Sequence, residues 1–476
     1  MIRKTLITLF IFAGFMCSGG NYNTLMVKAE KTLYQDNNPE EASRLLIPNV
    51  NRRDQDQLLF MMEAGYMLHM ANDYKTSNKI LTSASNKAES MYKSISKEIA
   101  SFITNETGKD YMGEDYERIL VNMTLGINYL MLNDYDSAEV EFKKVNNMLE
   151  YIQEKSGIHY NINLMALYLS SIAHAAAGEL EYAYIDLKKI DEIQPGIQSV
   201  GLKLMILARQ LDYMDDFALW RKKYRGIVLD PALEPYKNSS ELVFVYESGL
   251  APRKQSRGRL LADPEINTLF NAAVTGAIIA SGSASGAVSN ALVLSTIGEA
   301  EHPVPRYVYQ KYETASARLE IFKDGRIYKT VDTQLLNDVE KTIKTNFENH
   351  YMKIREKMIT RLATKVVATL VSKAVAESAA SNIGGRRYGA VAGFIIGTLT
   401  GIGVGSALFS SEKPDLRCWH TIPANYQAGS LLLPQGSYTG IIKYYNRNGD
   451  LVSQKDAGKI IIKPDSPSVL LFRTYD

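Results

Sequence analysis

The sequence predicts an α+β protein: an N-terminal array of helical repeats, then a mixed domain of β-hairpins and long helices, then a small C-terminal β-domain. Residues 21–225 carry apolar side chains at helical spacing, with very few prolines. A pattern of small residues and turns recurs within that stretch. After residue 240, alternating apolar runs separated by Gly-containing turns indicate strands.

The composition is that of a nearly neutral globular protein. The chain has 476 residues, 46% of them hydrophobic, a length typical of two to three domains. Its 54 basic residues nearly balance its 52 acidic ones, so the basic excess of a nucleic-acid-binding protein is missing. The only cysteines are Cys17 and Cys418, which is too few for a disulfide framework.

Residues 1–17 have the anatomy of a secretory signal. A short basic stretch, MIRK, is followed by about a dozen apolar residues that end at Cys17. This arrangement resembles the bacterial lipoprotein signal, in which the cysteine is lipidated and becomes the new N-terminus. Ser18 follows, and no Asp is there to retain the protein at the inner membrane, so we expect the periplasmic side of the outer membrane. The alternative is cleavage after Gly19 or Gly20, which would release a soluble periplasmic protein.

The clearest repeat unit runs from Asn122 to Val145 and resembles the tetratricopeptide repeat. Its small residues Gly126 and Ala138 would let two antiparallel helices approach closely, while the aromatic side chains Tyr129 and Phe142 fill the space beside them. The residues that match the family pattern are Leu125, Gly126, Tyr129, Ala138, Phe142 and Val145. Repeats of this family commonly bind peptides or helices of partner proteins on their concave face.

Further copies can be aligned with this unit. One copy has Gly65 and a turn at Asn72, a second has Ala183 and a closing Pro195, and a weaker fourth spans 204–224. The first three copies are 61 and 45 residues apart, more than the family's 34-residue period, so extra helices or loops are expected between them. The alternative is an irregular all-helical domain.

Residues 240–415 mix strands with helices rich in small residues. Strands are predicted at 241–254 and 304–312, and a hairpin at 317–331 turning at Asp324-Gly325. From 332 to 382 the pattern is helical.

The next segment, 388–409, has no charge and carries a stripe of glycines at every fourth residue, namely Gly389, Gly393, Gly397, Gly401 and Gly405. A membrane-spanning or self-associating helix, paired with 271–298, is one interpretation. A buried helix inside a soluble domain is favoured.

Residues 416–476 are predicted to form the small β-domain. A hairpin at 437–454 turns at Asn448-Gly449, and the runs GKIIIKP and SVLLFRTY indicate two further strands. Together with the earlier strands, they could complete one sheet or sandwich within the second domain.

Three stretches together resemble an uncharacterised family of bacterial lipoproteins with tetratricopeptide-like repeats. They are ELVFVYESGLAPRK at 241–254, PVPRY at 303–307 and DLRCWHTIPANYQAGSLLLPQGSY at 415–438. The positions that match the family pattern in the last stretch are Asp415, Arg417, Trp419, Pro423, Pro434 and Gly436. The resemblance implies a periplasm-facing lipoprotein and no known activity.

No motif in the sequence indicates an enzyme, a metal site or a cofactor. None of the six histidines has the spacing of a metal-binding motif. Cys418 and His420 lie two apart on a predicted strand and would face the same side, as a Cys–His nucleophile requires. A structural thiol and a surface imidazole are the favoured interpretation of this pair.

The sequence therefore favours a lipid-anchored scaffold or adaptor that binds envelope proteins through its repeats. A more specific version is an accessory factor in cell-wall or outer-membrane assembly. The alternative is a membrane-inserting or oligomer-forming protein that uses the glycine stripe at 388–409.

Overall fold

The computed structural model describes residues 22–95, 110–156, 163–230, 237–281, 300–348, 413–464 and 466–475, with a few single residues between 351 and 378. It confirms the α+β fold class: a helical array is followed by a region that contains two four-stranded sheets. The signal segment 1–17, the stretch 282–298 and the glycine stripe at 388–409 lie outside the described residues.

The helices of the first half form five antiparallel pairs within the described residues. Their bounds are α1 Tyr22–Tyr34 and α2 Pro39–Val50, α3 Gln57–Met70 and α4 Tyr74–Ile95, α5 Asp115–Met131 and α6 Tyr135–Ser156, α7 Leu164–Ala176 and α8 Leu180–Ile193, α9 Gln198–Gln210 and α10 Met214–Lys223. The four repeat copies predicted from the sequence correspond to the last four pairs, and the first pair was not predicted. The extra spacing between copies comes partly from α4 and α6, each of which has 22 residues against 14 in α8.

Every pair is joined by a short turn with one residue in the left-handed region. These residues are Asn37, Asn72, Asn133, Gly178 and Asp212. Glycine, asparagine and aspartate tolerate this conformation better than other residues, so the turn explains the polar residues there. The amide that follows bonds back to the helix, as Asp134 N–H does to the Tyr129 carbonyl at 2.9 Å.

Close contacts within the pairs explain the small residues. A Cβ atom on Gly126 would lie 2.5 Å from the ring of Phe142, and one on Gly65 would lie 2.5 Å from Leu81. In both pairs the large side chain of the second helix rests on bare backbone of the first. The helices therefore approach at a distance that any other residue would prevent.

The second half contains two sheets and further helices. The first sheet has the order β10-β1-β7-β6 and the second β5-β4-β8-β9. The strand bounds are β1 Ser239–Ser248, β2 Arg253–Gln255, β3 Arg306–Val308, β4 Ser316–Lys323, β5 Arg326–Asp332, β6 Gln334–Asp338, β7 Asn425–Pro434, β8 Gly436–Tyr445, β9 Leu451–Ile462 and β10 Ser468–Arg473. Helix α11 spans Pro264–Ser281, another helix covers 339–348, and β2 pairs with β3.

Several predicted boundaries were wrong. The predicted helix from residue 332 begins instead at 339, because β6 pairs with β7 first. The predicted strand at 304–312 shrinks to the three residues of β3. The run GKIII is the end of β9 and not a separate strand, since β9 continues opposite β8 through a bulge near Gly440. The strands of 416–476 pair with β1, β4 and β6, so both sheets draw on residues before and after 415.

Strand β1 is buried on both faces, which accounts for its unbroken apolar run. Val243 and Val245 pack into the core shared with the helices. Leu242, Phe244 and Tyr246 pack into the core between the two sheets. The protein therefore has four layers. In order, they are the second helix of each pair, the first helix of each pair, the first sheet and the second sheet.

Candidate interaction surfaces

The inner face of the helical array is covered by the chain's own second half. Every residue of α3 from Leu58 to His69 is buried, as are nearly all residues of α5. One side of these helices contacts α4 and α6, and the other contacts β1 and the irregular segment 413–424, named here the covering segment. A first helix with its whole circumference covered presents no open face to another molecule.

Glu63, in the middle of α3, binds the covering segment directly. Its carboxylate accepts the backbone N–H of His420 at 2.6 Å and the hydroxyl of Thr421 at 2.7 Å. The hydroxyl of Tyr22 donates to the same carboxylate at 3.0 Å. Burial raises the pKa of Glu63, and the charge of His420 and the hydrogen bonds from His420 N–H and Thr421 act in the opposite direction.

Glu117, near the start of α5, binds the covering segment in the same way from the next helical pair. It accepts the backbone N–H of Trp419 at 2.7 Å. Its other oxygen accepts the N–H of Glu114 at 2.8 Å and the hydroxyl of Tyr111 at 2.5 Å. Burial raises the pKa of Glu117 to about 7. Two buried carboxylates on consecutive first helices thus hold consecutive amides of one extended segment.

Ion pairs hold the covering segment at two further residues, Arg417 and His420. Arg417 bonds Asp56 at 3.0 Å and Asp415 at 2.7 Å. His420 lies 3.0 Å from Glu30, whose carboxylate also pairs with Arg253 at 2.8 Å. Burial alone would raise the pKa of Glu30, but its hydrogen bonds with these two cations lower it to about 2.

The first sheet is joined to the array by further buried polar contacts. Glu247 of β1 accepts the Tyr66 hydroxyl at 2.7 Å and lies 3.3 Å from His69. Lys203 of α9 pairs with Glu241 at the other end of β1 at 2.6 Å. The array and the sheets are therefore one continuous packed body.

The outer face of the array carries exposed apolar side chains at one repeated position. Seven residues after the left-handed turn residue stand Val140 in α6, Ile185 in α8 and Leu219 in α10. Their exposed fractions are 49%, 58% and 54%. Exposed apolar positions that recur in consecutive repeats mark a candidate docking surface, named here the outer apolar row.

The structure places the repeat residues singled out from the sequence inside the helical pairs. Tyr129 is half-buried, and Pro195 is exposed in the turn that follows α8. The others are buried, namely Gly65, Leu125, Gly126, Ala138, Phe142 and Ala183. Cys17 and the five stripe glycines lie outside the described residues.

The family positions of 415–438 fall into two groups. Asp415, Arg417, Trp419 and Pro423 lie in the covering segment, where Trp419 is buried against Tyr66. The second group is Pro434, which ends β7, and Gly436, which begins β8. Sequence reasoning missed the carboxylates of Glu63 and Glu117. Glu63 could have been noticed, because it is an acid in the middle of a long apolar run.

The side chains of Cys418 and His420 lie together, in hydrogen-bond contact, but not on the predicted strand. The segment that holds them is irregular, and the imidazole, predicted at the surface, is only partly exposed, with 20% of its side chain accessible and its Nδ1 atom paired with Glu30. The thiol of Cys418 is buried, with 1% of the residue exposed.

Among the helices that the structure describes, none combines the length and the apolar character needed to span a bilayer. No protein-family model matches the sequence, and no curated protein matches it.

Several solved structures resemble the helical array. MamA from Desulfovibrio magneticus RS-1 is 15% identical over 44% of this chain and 98% of its own, with a TM-score of 0.29. Kinesin-light-chain TPR-like repeats from Podosopora anserina are 14% identical over 43% and 93%, with a TM-score of 0.30. A tetratricopeptide repeat protein from Parabacteroides merdae is 12% identical over 45% and 95%, with a TM-score of 0.15. Likeness at this level carries no functional argument, so the repeat assignment rests on the turns and close contacts of this chain.

Proposed function

We propose that the protein is an exported, non-catalytic adaptor that binds an envelope protein through the outer apolar row and is tethered by a lipid on Cys17. The observation that carries the proposal is the recurrence of an exposed apolar residue at the same position of three consecutive pairs, Val140, Ile185 and Leu219.

The fold itself does not require apolar residues at this position. The equivalent residue is Arg44 in the first pair and Lys79 in the second, both on the same type of second helix. Arg44 is exposed and pairs with two acids of its own helix. Because charged residues serve equally well there, the exposed Val140, Ile185 and Leu219 are better explained by binding than by folding.

The inner face supports the same conclusion by elimination. Repeats of this type commonly bind peptides on that face, but here the covering segment and β1 fill it. A partner is therefore expected on the outer helices α6, α8 and α10.

The tether and the compartment rest on the sequence of the first seventeen residues. The basic start, the apolar run and Cys17 resemble a lipoprotein signal. An adaptor held at the periplasmic side of the outer membrane would meet envelope proteins first. An accessory role in cell-wall or outer-membrane assembly is the specific form of this proposal.

Crosslinking from the outer apolar row tests the binding site. A photoreactive residue at Tyr182, exposed beside Ile185 on α8, is expected to give one discrete crosslinked species in cells. The double change Ile185→Lys and Leu219→Lys should abolish it while leaving the circular dichroism spectrum unchanged. Lys79→Ala, at the equivalent position of α4, is the matched control and should change nothing. A crosslink that survives the double change would refute this binding site.

The mass of the mature N-terminus tests the tether separately. A diacylated or triacylated Cys17, lost in Cys17→Ala together with membrane association, is the expected result. An unmodified N-terminus at Gly20 or Asn21 would show a soluble periplasmic protein and remove the tether from the proposal.

A further inference from the structure

Two glutamates and one histidine meet where α6, α7 and the turn to α8 come together, and Asp186 of α8 lies beside them. Oxygens of Glu139 and Glu179 and a ring nitrogen of His174 all lie within 4.8 Å of one another. Glu139 belongs to the third helical pair, while His174 and Glu179 belong to the fourth. This group lies outside the covering segment and outside the outer apolar row.

His174 is held in place on both sides of its ring. Its Nδ1 atom lies 2.8 Å from Glu179, and Nε2 lies 3.8 Å from the Oδ2 atom of Asp186. The ring also lies against Tyr182, with the ring centroids 5.5 Å apart. The imidazole is mostly covered, with 11% of its side chain exposed.

Asp186 provides a second, independent observation. Its Oδ2 atom is inaccessible to solvent and has no hydrogen-bond partner among the described residues. A buried carboxylate oxygen without a donor is costly, unless another group or an ion turns a donor toward it.

We propose that Glu139, His174 and Glu179 form a binding site for a divalent transition-metal ion such as Zn²⁺. The ion binds Nδ1 of His174 and one oxygen from each glutamate. Nε2 faces Oδ2 of Asp186 across 3.8 Å, so a small turn of the ring on metal binding would let Nε2–H donate to it, giving the carboxylate–histidine arrangement that orients imidazole ligands around metals. One imidazole among carboxylates favours Zn²⁺ over Mg²⁺, which prefers oxygen ligands alone. The bound ion would connect the third and fourth helical pairs.

Calorimetric titration of the purified, chelator-treated chain with Zn²⁺ tests the site. The expected result is one equivalent of bound Zn²⁺, a raised Tm, and no binding of Mg²⁺ under the same conditions. His174→Ala and Glu179→Gln should abolish the one-equivalent step. Asp186→Asn should weaken it by roughly 10–100-fold, the effect typical of an outer-shell partner.

The controls separate a specific site from general effects. Glu154→Gln, an exposed acid further along α6, should bind Zn²⁺ as the unmodified chain does. Glu179 lies exposed at the helix turn, so Glu179→Gln keeps the fold if His174→Ala does not. Absence of Zn²⁺ binding, or binding that Glu179→Gln leaves unchanged, would overturn the proposal.

Discussion

Replacing Glu63 by alanine is expected to remove a large fraction of the stability of the fold. The side chain is fully buried, and its carboxylate receives three donors: the His420 amide, the Thr421 hydroxyl and the Tyr22 hydroxyl. Each buried donor left without an acceptor costs about 1–3 kcal/mol. Because the three share one acceptor, their costs do not add fully, and a loss of about 3–5 kcal/mol is expected. Whole domains are stable by only about 5–15 kcal/mol.

Glu63→Gln separates hydrogen bonding from charge and shape. Glutamine keeps one acceptor oxygen, and its amide can donate to the Thr421 hydroxyl, so a smaller loss of about 1–2 kcal/mol is expected. The exposed Glu154→Ala should stay within about 0.5 kcal/mol. The assay is urea unfolding followed by the fluorescence of buried Trp419, in a Trp220→Phe background that removes the second tryptophan.

A loss below about 1 kcal/mol in Glu63→Ala would refute the reasoning. It would mean that water replaces the carboxylate without cost, and that the covering segment is held by its apolar contacts alone. An equal loss in Glu63→Ala and Glu63→Gln would instead assign the whole effect to charge.

Three further predictions concern other regions of the fold. Gly126→Ala should lower the free energy of unfolding by about 1–3 kcal/mol in thermal unfolding, because its new methyl group meets Phe142. Adding Phe142→Leu should recover some of this loss, and a double variant whose loss equals the sum of the two single losses would contradict the contact. The hydrogen bonds and charges of His420 and Arg253 lower the pKa of Glu30 from 4.5 to about 2, and the contacts with Cys418 and then with Glu30 raise the pKa of His420 from 6.5 to about 10, both against the effect of burial. Stability should therefore fall as pH drops from 4.5 toward 2 and as it rises from 6.5 toward 10; Glu30→Gln should remove the acid limb and flatten the alkaline limb in part, because Cys418 still contacts His420, and an unchanged pH profile would contradict the pair. The buried thiol of Cys418 should react with iodoacetamide only as fast as the chain unfolds, and rapid labelling in native buffer would disprove its burial.

The helical pairs and the hairpin turn could be predicted because the residues that specify them lie close together in the sequence. Gly126 and Phe142 stand in one continuous repeat, and their contact joins the two helices of a single pair. The hairpin turn at Asp324-Gly325 likewise depends on neighbouring residues, and both adopt the positive φ that the sequence indicated.

The assembly of the sheets could not be predicted in the same way. β10 lies parallel to β1, with Leu242 opposite Ser468, and no short-range pattern specifies that pairing. Residues 334–338 have a helical pattern, yet they form β6 because β7 offers them an open edge. Long-range partners decided both outcomes.

The candidate site shows the same division. The outer apolar row can be read from the sequence once the turns are aligned, since it depends only on spacing within each helix. The covering of the inner face cannot be predicted from the sequence, because segment 413–424 has no periodicity. The residues that anchor it, Glu63 and Glu117, lie about 300 residues away or more along the chain.

The covering segment also explains why the inner face cannot serve an exchangeable peptide. Glu63 and Glu117 bind backbone amides, so displacing the segment would leave two buried carboxylates without their donors. The segment continues directly into β7, whose ten residues pair with β1 in the middle of the first sheet. Pulling it out would therefore disrupt the sheet as well as the groove. A competing peptide would have to supply both sets of contacts at once.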